Sequence, residues 1–266
     1  SMELAENPLI GRYAGIVAAS VFGCTIVFTI PVGMGLIEEG DRPVFAKGIM
    51  LGLAAMPAAL ITGGAVCGLG IGEILHQNLP VLVLALLLGI GLFRVPDGMV
   101  KGFEVFTVLI RTVITAGLVL AAVTYMTGFV VIPGMAPIEE AMAVVSSIGV
   151  VLLGSLPVTE FLQRRLKRPC TALGARMGLD SISVLGLLVS IVSPIPALVM
   201  MKDMNTFGKL VNVAYMVSSA SMLAAHLGFT VSTEPDMLPA LLVSKLAGCA
   251  AAIALGFITS KTKKRL

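Results

Sequence analysis

The sequence predicts an all-α, polytopic membrane helix bundle of about eight hydrophobic segments, containing an inverted repeat of proline-interrupted helices. Three observations carry that prediction. Apolar residues make up 57% of the 266 and charged residues 12%, with a mean hydropathy of +1.02, whereas soluble domains are closer to a quarter charged. Apolar runs recur near the length of about 20 residues that a helix needs to cross a hydrocarbon layer. Prolines then stand inside two of those runs at matching places.

In chain order the segments fall near 13–37, 44–72, 79–95, 103–126, 141–159, 181–201, 207–230 and 238–259. The first follows MELAENPLIGRY, which has neither the basic start nor the small-residue cleavage site of a secretory leader. Lys and Arg in short loops mark the cytoplasmic side. Arg42 and Lys47 lie after the first segment, Arg94 and Lys101 after the third, and Arg164, Arg165, Lys167, Arg168 and Arg176 after the fifth. The intervening loops at 73–78 and 127–140 carry Glu73, Glu139 and Glu140 but no Lys or Arg. That alternation places the residues before Ile16 outside. Three segments after the basic stretch 163–176 would then leave the tail SKTKKRL outside, against its own Lys261, Lys263, Lys264 and Arg265. Either one of the three is re-entrant or the tail is an exception.

The interruption is the feature most in need of a cause. In VSPIPALVMMKDMNTFGK, Pro194 and Pro196 sit within an apolar run that leads to a charged loop and Lys209. In CTIVFTIPVGMGLIEEGDRPVFAKG the same order occurs, with Pro31 and Lys47. Each copy is followed by a segment opening on Leu-Pro, at Leu79–Pro80 and Leu238–Pro239. Five segments separate the two charged loops, an odd number, so the copies are expected to be inverted. Broken helices at matched places in a repeat point to a transport site, because irregular backbone at membrane depth must pack in protein or line a wet cavity. The chain therefore reads as a single membrane domain over 1–266. Residues 1–100 form part of the first repeat, 101–180 the connecting spans and basic cytoplasmic loop, and 181–266 the second repeat core.

Polar groups within the segments supply the candidate site. Asn212, Ser219 and His226 follow one another at seven-residue steps in the segment after the second break, and so share one face of a continuous helix. Ser and Asn also serve as interhelical glue in membranes. Beside the breaks lie Thr25, Ser193 and the carbonyls freed at Pro31, Pro194 and Pro196. Lys245 sits two turns inside the last segment, where it is expected to snorkel outward, as is Arg111 in its own. The four cysteines, Cys24, Cys67, Cys170 and Cys249, fit no metal or redox spacing. No hydrolase elbow, metalloprotease helix or P-loop is present, so neither catalysis nor a cofactor is expected. A net charge of +3, placed in membrane-flanking loops, gives no reason to expect a nucleic-acid partner.

Five stretches, GCTIVFTIPVGMGLIEEGDR, LPVLVLALLLGIGL, GFEVFTVLIRTVITAGLVLAAV, VIPGMAPIEEAM and MMKDMNTFGKLVNVAYMVSSASMLAAHLGF, occur in that order. Together they resemble the bacterial ethanolamine permease family, the integral membrane component of ethanolamine-utilisation operons. The resemblance implies a multi-pass permease for ethanolamine in the bacterial plasma membrane. With it, the repeat points to alternating access, and the want of a buried Asp or Glu within the segments to carry a coupling proton points to facilitated passage. Family members are longer at the N-terminus, and Ser1 is not a natural initiator, so a missing N-terminal chain or a homo-oligomer is an expected partner. Where the family often has an acidic residue before the His of HLGF, this chain has Ala225. Transport of another small polar amine, by carrier or channel, remains an alternative. So does a non-transporting fragment or subunit of a split permease.

Overall fold

In a computed structural model of the chain, residues 8–15, 17, 29–134, 137–223 and 225–263 are described. They are all-helical, without a strand. A short α1 (Pro8–Tyr13) precedes α2 (Ile30–Leu36), a 3-10 turn (Glu39–Asp41) and the long α3 (Arg42–Val66). Next come α4 (Ile71–Gln77), α5 (Leu79–Arg94), α6 (Pro96–Thr127) and the 40-residue α7 (Ile138–Met177). Then follow α8 (Ser181–Ser190), α9 (Pro194–Met200), a 3-10 turn (Met201–Asp203) and α10 (Thr206–Ser219). The chain closes with α11 (Ala225–Thr233) and α12 (Leu238–Lys263). The middle of the first expected segment, including Thr25, lies outside the described residues.

The remaining apolar stretches all become helix, as their composition requires in a medium that leaves no partner for a free peptide group. Among the described residues three helices are long and apolar enough to cross a membrane: Glu39–Val66, Gly98–Thr127 and Pro235–Ser260. Counting the bent pairs Ile71–Gln77 with Leu79–Gly91 (71°) and Arg164–Met177 with Ser181–Ser190 (103°) raises the number to five. The basic stretch 163–176, expected as a loop, is instead the C-terminal part of α7. Its long Lys and Arg side chains are good helix formers, and its buried Cys170 packs with Val184 and Leu185 of α8.

α3, α10 and α12 form the centre. Gly48 and Gly52 of α3 allow this: a Cβ on Gly48 would stand 2.6 Å from the Val213 Cβ, and one on Gly52 would run into Val217. Without those methyls the two helices approach closely, as small residues permit in membranes. α12 lies across both, with Gly248 against Ser218 of α10 and Ala59 of α3.

The contacts also fix direction. Gly48 meets Val213, Gly52 meets Val217, and Asp41 at the start of α3 binds Lys209 at the start of α10 (Nζ to Oδ1 2.6 Å, Oδ2 2.7 Å). α3 and α10 therefore run parallel. An inverted pair would run antiparallel, so these two helices do not bear out the expected inversion. The cause is visible in the segment 181–201. Asp180 caps α8 by accepting from Ser183 N at 2.6 Å, and its other oxygen accepts from Asn205 N at 2.5 Å, beside the start of α10. The stretch between these two points turns back on itself, so that α8 and α10 start at the same end.

The two copies are alike in build. Each has a seven-residue helix with proline in its first turn, a 3-10 turn ending in aspartate, and a longer helix carrying Lys six residues after that aspartate (Asp41 and Lys47, Asp203 and Lys209). α2 and α9 touch through apolar residues, among them Ile30, Met34, Ala197 and Leu198.

Charge separates the ends of the bundle. One end gathers the starts of α3, α8 and α10 with Arg42, Lys47 and Lys209. At the other, Arg12 pairs with Glu234 (2.7 Å) and Asp236 (3.3 Å). The hydrogen bond to Glu234, and then the charges of both acids, raise the Arg12 guanidinium above its ordinary pKa. Tyr13 nearby donates to the Leu60 carbonyl at 2.8 Å and accepts from Asn78 at 3.1 Å.

Candidate functional site

The backbone breaks occur beside the prolines rather than at them. Pro194 and Pro196 occupy the first turn of α9, and Pro31 that of α2. A helix start needs no amide hydrogen there, so Pro194 and Pro196, which follow the extended Ser193, remove no helical hydrogen bond. Ser193 caps α9, its hydroxyl accepting from Ile195 N at 3.4 Å. The irregular residues are Ile191–Ser193, between α8 and α9, and a second set that the sequence does not announce. The expected segment 207–230 parts at Ala220–Leu223, between α10 and α11. No proline stands there. Ser221 takes a φ of +55°, the one non-glycine positive φ among the described residues, a conformation that costs about 1–3 kcal/mol.

The two breaks meet. Leu223 N donates to the Ile191 carbonyl at 3.0 Å, and the hydroxyls of Ser190 and Ser219 are 3.3 Å apart. α8 and α10 start side by side and end side by side, so the negative ends of both helix dipoles converge on one point. Lys245 reaches that point from α12. It is fully buried, and its Nζ donates to the carbonyls of Ser218 (3.0 Å) and Ala220 (3.4 Å). The expectation that Lys245 snorkels to an aqueous end is thus corrected: the carbonyls left over at the end of α10 hold it inside.

His226, in the first turn of α11, is within electrostatic reach of Lys245 and the Ala220 carbonyl. Its Nδ1 is buried without a hydrogen-bond partner, as is the Ser218 hydroxyl. The structure therefore brings together Ser219, Ser193, Pro194 and His226, and adds Ser190, Ser218 and Lys245. Asn212 is elsewhere. It lies seven residues, or about 10 Å, before Ser219 on α10, and its amide donates to the carbonyls of Ser183 and Gly208, both at 2.9 Å. That geometry ties α10 to α8. Because α10 and α11 are separate helices, the seven-residue step from Ser219 to His226 no longer defines a shared face. Pro196 is buried in α9.

The crossing is closed, since Ser190, Ser218, Ser219 and Lys245 have no exposed surface. Two clefts lie away from it. One of about 580 Å³ runs between α3, α5 and α12, lined by residues such as Pro57, Leu86 and Leu255. One of about 320 Å³ lies in the elbow of α7 and α8, beside Arg164, Lys167 and Ser181. Among the described residues no group of acidic, His and Cys side chains is arranged to hold a metal ion.

Residues 1–259 match the sequence profile of the family described as "Ethanolamine utilisation protein, EutH". The chain is 37% identical over 256 residues to the "Probable ethanolamine permease EutH" of Listeria monocytogenes, covering 96% of this chain and 69% of that protein. It is 38% identical over 269 residues to the "Uncharacterized protein YxeR" of Bacillus subtilis, covering 99% and 73%. Against the "Probable ethanolamine permease EutH" of Escherichia coli it is 35% identical over 264 residues, covering 91% and 65%. No solved structure matches. The chain, an integral membrane protein, belongs to the EutH family of ethanolamine utilisation proteins.

Proposed function

We propose that this chain is the membrane part of a permease that carries ethanolamine across the bacterial plasma membrane, with its site where the two helix breaks cross. The observation that carries the proposal is the meeting of Ile191–Ser193 with Ala220–Leu223 beside the buried hydroxyls of Ser190, Ser218 and Ser219. Carbonyls at the ends of α8 and α10 suit an ammonium. The hydroxyls of Ser190, Ser218 and Ser219 and the ring of His226 suit the alcohol. Relatives bearing the ethanolamine permease name support the substrate. The chain spans 65 to 73% of the three relatives described, so the activity proposed is that of the whole protein.

The topology that fits has seven crossings and one re-entrant hairpin. The hairpin is α8 with α9, which enters and leaves at the end bearing Arg42, Lys47 and Lys209. By the positive-inside rule that end is cytoplasmic. Removing one crossing from the count brings the C-terminal Lys and Arg residues to the cytoplasm as well, which accounts for the tail. The two copies then face the same way, as in transporters built from parallel repeats. Substrate passes by movement of the hairpin and of α11 about the two breaks. Transport in this reading is facilitated.

Uptake of labelled ethanolamine into cells lacking their own permease tests the proposal. Saturable uptake at low external substrate is expected. A protein that reaches the membrane and gives no such gain contradicts the assignment, and flux that never saturates favours a channel.

A further inference from the structure

Lys245 does more than a helix end requires. Carbonyls left over at a helix C-terminus are commonly satisfied by a glycine turn or by water, with no charge involved. Here an ammonium is withdrawn completely from solvent to reach the carbonyls of Ser218 and Ala220. Burying a charge is unfavourable unless its partners are well placed, and a structural cap alone gives no reason to accept that penalty. Alongside are two polar atoms whose hydrogen-bonding capacity is unused, Ser218 Oγ and His226 Nδ1.

The chemistry of the side chain supplies the reason. The last atoms of lysine, Cδ, Cε and Nζ, form a primary ammonium on two methylenes. Ethanolamine is the same ammonium on two methylenes, ending in a hydroxyl. We infer that Lys245 is a tethered stand-in for the substrate, and that the carbonyls of Ser218 and Ala220 are the ammonium subsite. With the carrier empty, Lys245 occupies the subsite and spares it two bare carbonyls in an apolar core. When substrate arrives, the lysine side chain turns aside. The incoming ammonium takes its place, and the substrate hydroxyl meets the unused Ser218 Oγ and His226 Nδ1. No bond is made or broken in this exchange. The inference rests on the ethanolamine reading above and assigns that reading its cation subsite and its competitor.

Chemical rescue tests it. Purified full-length protein with Lys245→Ala is heated with ethanolamine, n-propylamine or 1-propanol. The variant is expected to unfold at a lower temperature than the wild type and to be restored by the two amines but not by propanol. Half the effect should come at an amine concentration about tenfold lower than any effect on the wild type, as preferential binding to the vacated native site requires. Amines that help the variant no more than they help the wild type, or propanol that helps equally, overturn the inference. Should Lys245→Ala not accumulate, Lys245→Met is assayed by uptake. A KM at least about fivefold below wild type, with a reduced maximal rate, is expected because the competitor is gone while ligand release is slowed. An unchanged or raised KM overturns the inference. Wild-type protein that fails to take up ethanolamine defeats the permease reading. Normal wild-type uptake without rescue or a lowered KM defeats only the role of Lys245.

Discussion

Parallel packing of α3 and α10 is tested at the ion pair that joins their starts. Asp41 and Lys209 are held with Nζ 2.6 Å from one carboxylate oxygen and 2.7 Å from the other, with side chains 13% and 15% exposed. A fully buried pair costs about 3–5 kcal/mol when one partner is removed, and a solvated one about 0–1 kcal/mol. The small remaining exposure puts Asp41→Asn or Lys209→Met between these, at about 2–3 kcal/mol. For a chain of this length that is a fall of about 4–10 °C in midpoint, read by thermal unfolding in detergent. The charge-swapped double variant, Asp41→Lys with Lys209→Asp, should recover much of what each single exchange loses, because directly interacting residues are not additive. Losses that simply add would mean the pair is not formed. The two helix starts would then not share an end, and the parallel arrangement would fall with the re-entrant hairpin.

Four further outcomes follow from the same geometry. Gly52→Ala places a methyl into Val217 and 2.7 Å from the Ala214 carbonyl; overpacking of this kind costs about 1–3 kcal/mol, seen as a lower unfolding midpoint, and an unchanged midpoint would refute the close approach. Asn212→Ala should lower stability by about 1–3 kcal/mol through two lost hydrogen bonds yet leave the KM for ethanolamine unchanged in the protein that folds. His226→Ala should raise that KM, and the reverse pattern would move the site to Asn212. A reporter at the C-terminus should be active only in its cytoplasmic form, and one active outside would contradict the count of crossings.

Much of the helical architecture is legible in the sequence because apolar length is a direct physical requirement. The stretches 44–72, 79–95 and 238–259 return as α3, α5 and α12 with ends shifted by a few residues. Charge in the loops anticipates the basic end, and Lys47 and Lys209 mark equivalent places in two similar units. Hydropathy does not register a turn within an apolar stretch. Residues 181–201 are as long as a span, and only the contacts of Asp180 with Ser183 and Asn205 reveal the return.

The candidate site was partly visible for the same kind of reason. Prolines drew attention to the first break, although they start helices instead of breaking them. The second break has no proline, and its signal is the run Ser218–Ser221, where short polar side chains compete for backbone hydrogen bonds. Lys245 was legible as an oddity in an apolar helix. Its partners were not, because they are main-chain carbonyls of another helix and carry no mark in the side-chain sequence.

The crossing itself is tested most directly by replacing Ser190 and Ser219 with cysteine, since their hydroxyls stand 3.3 Å apart. A mild, membrane-permeant oxidant should join Ser190→Cys to Ser219→Cys, abolish ethanolamine uptake, and allow it to return on reduction, while neither single variant responds. Free thiols after oxidation, or full uptake by the cross-linked protein, would contradict a site formed by these two breaks.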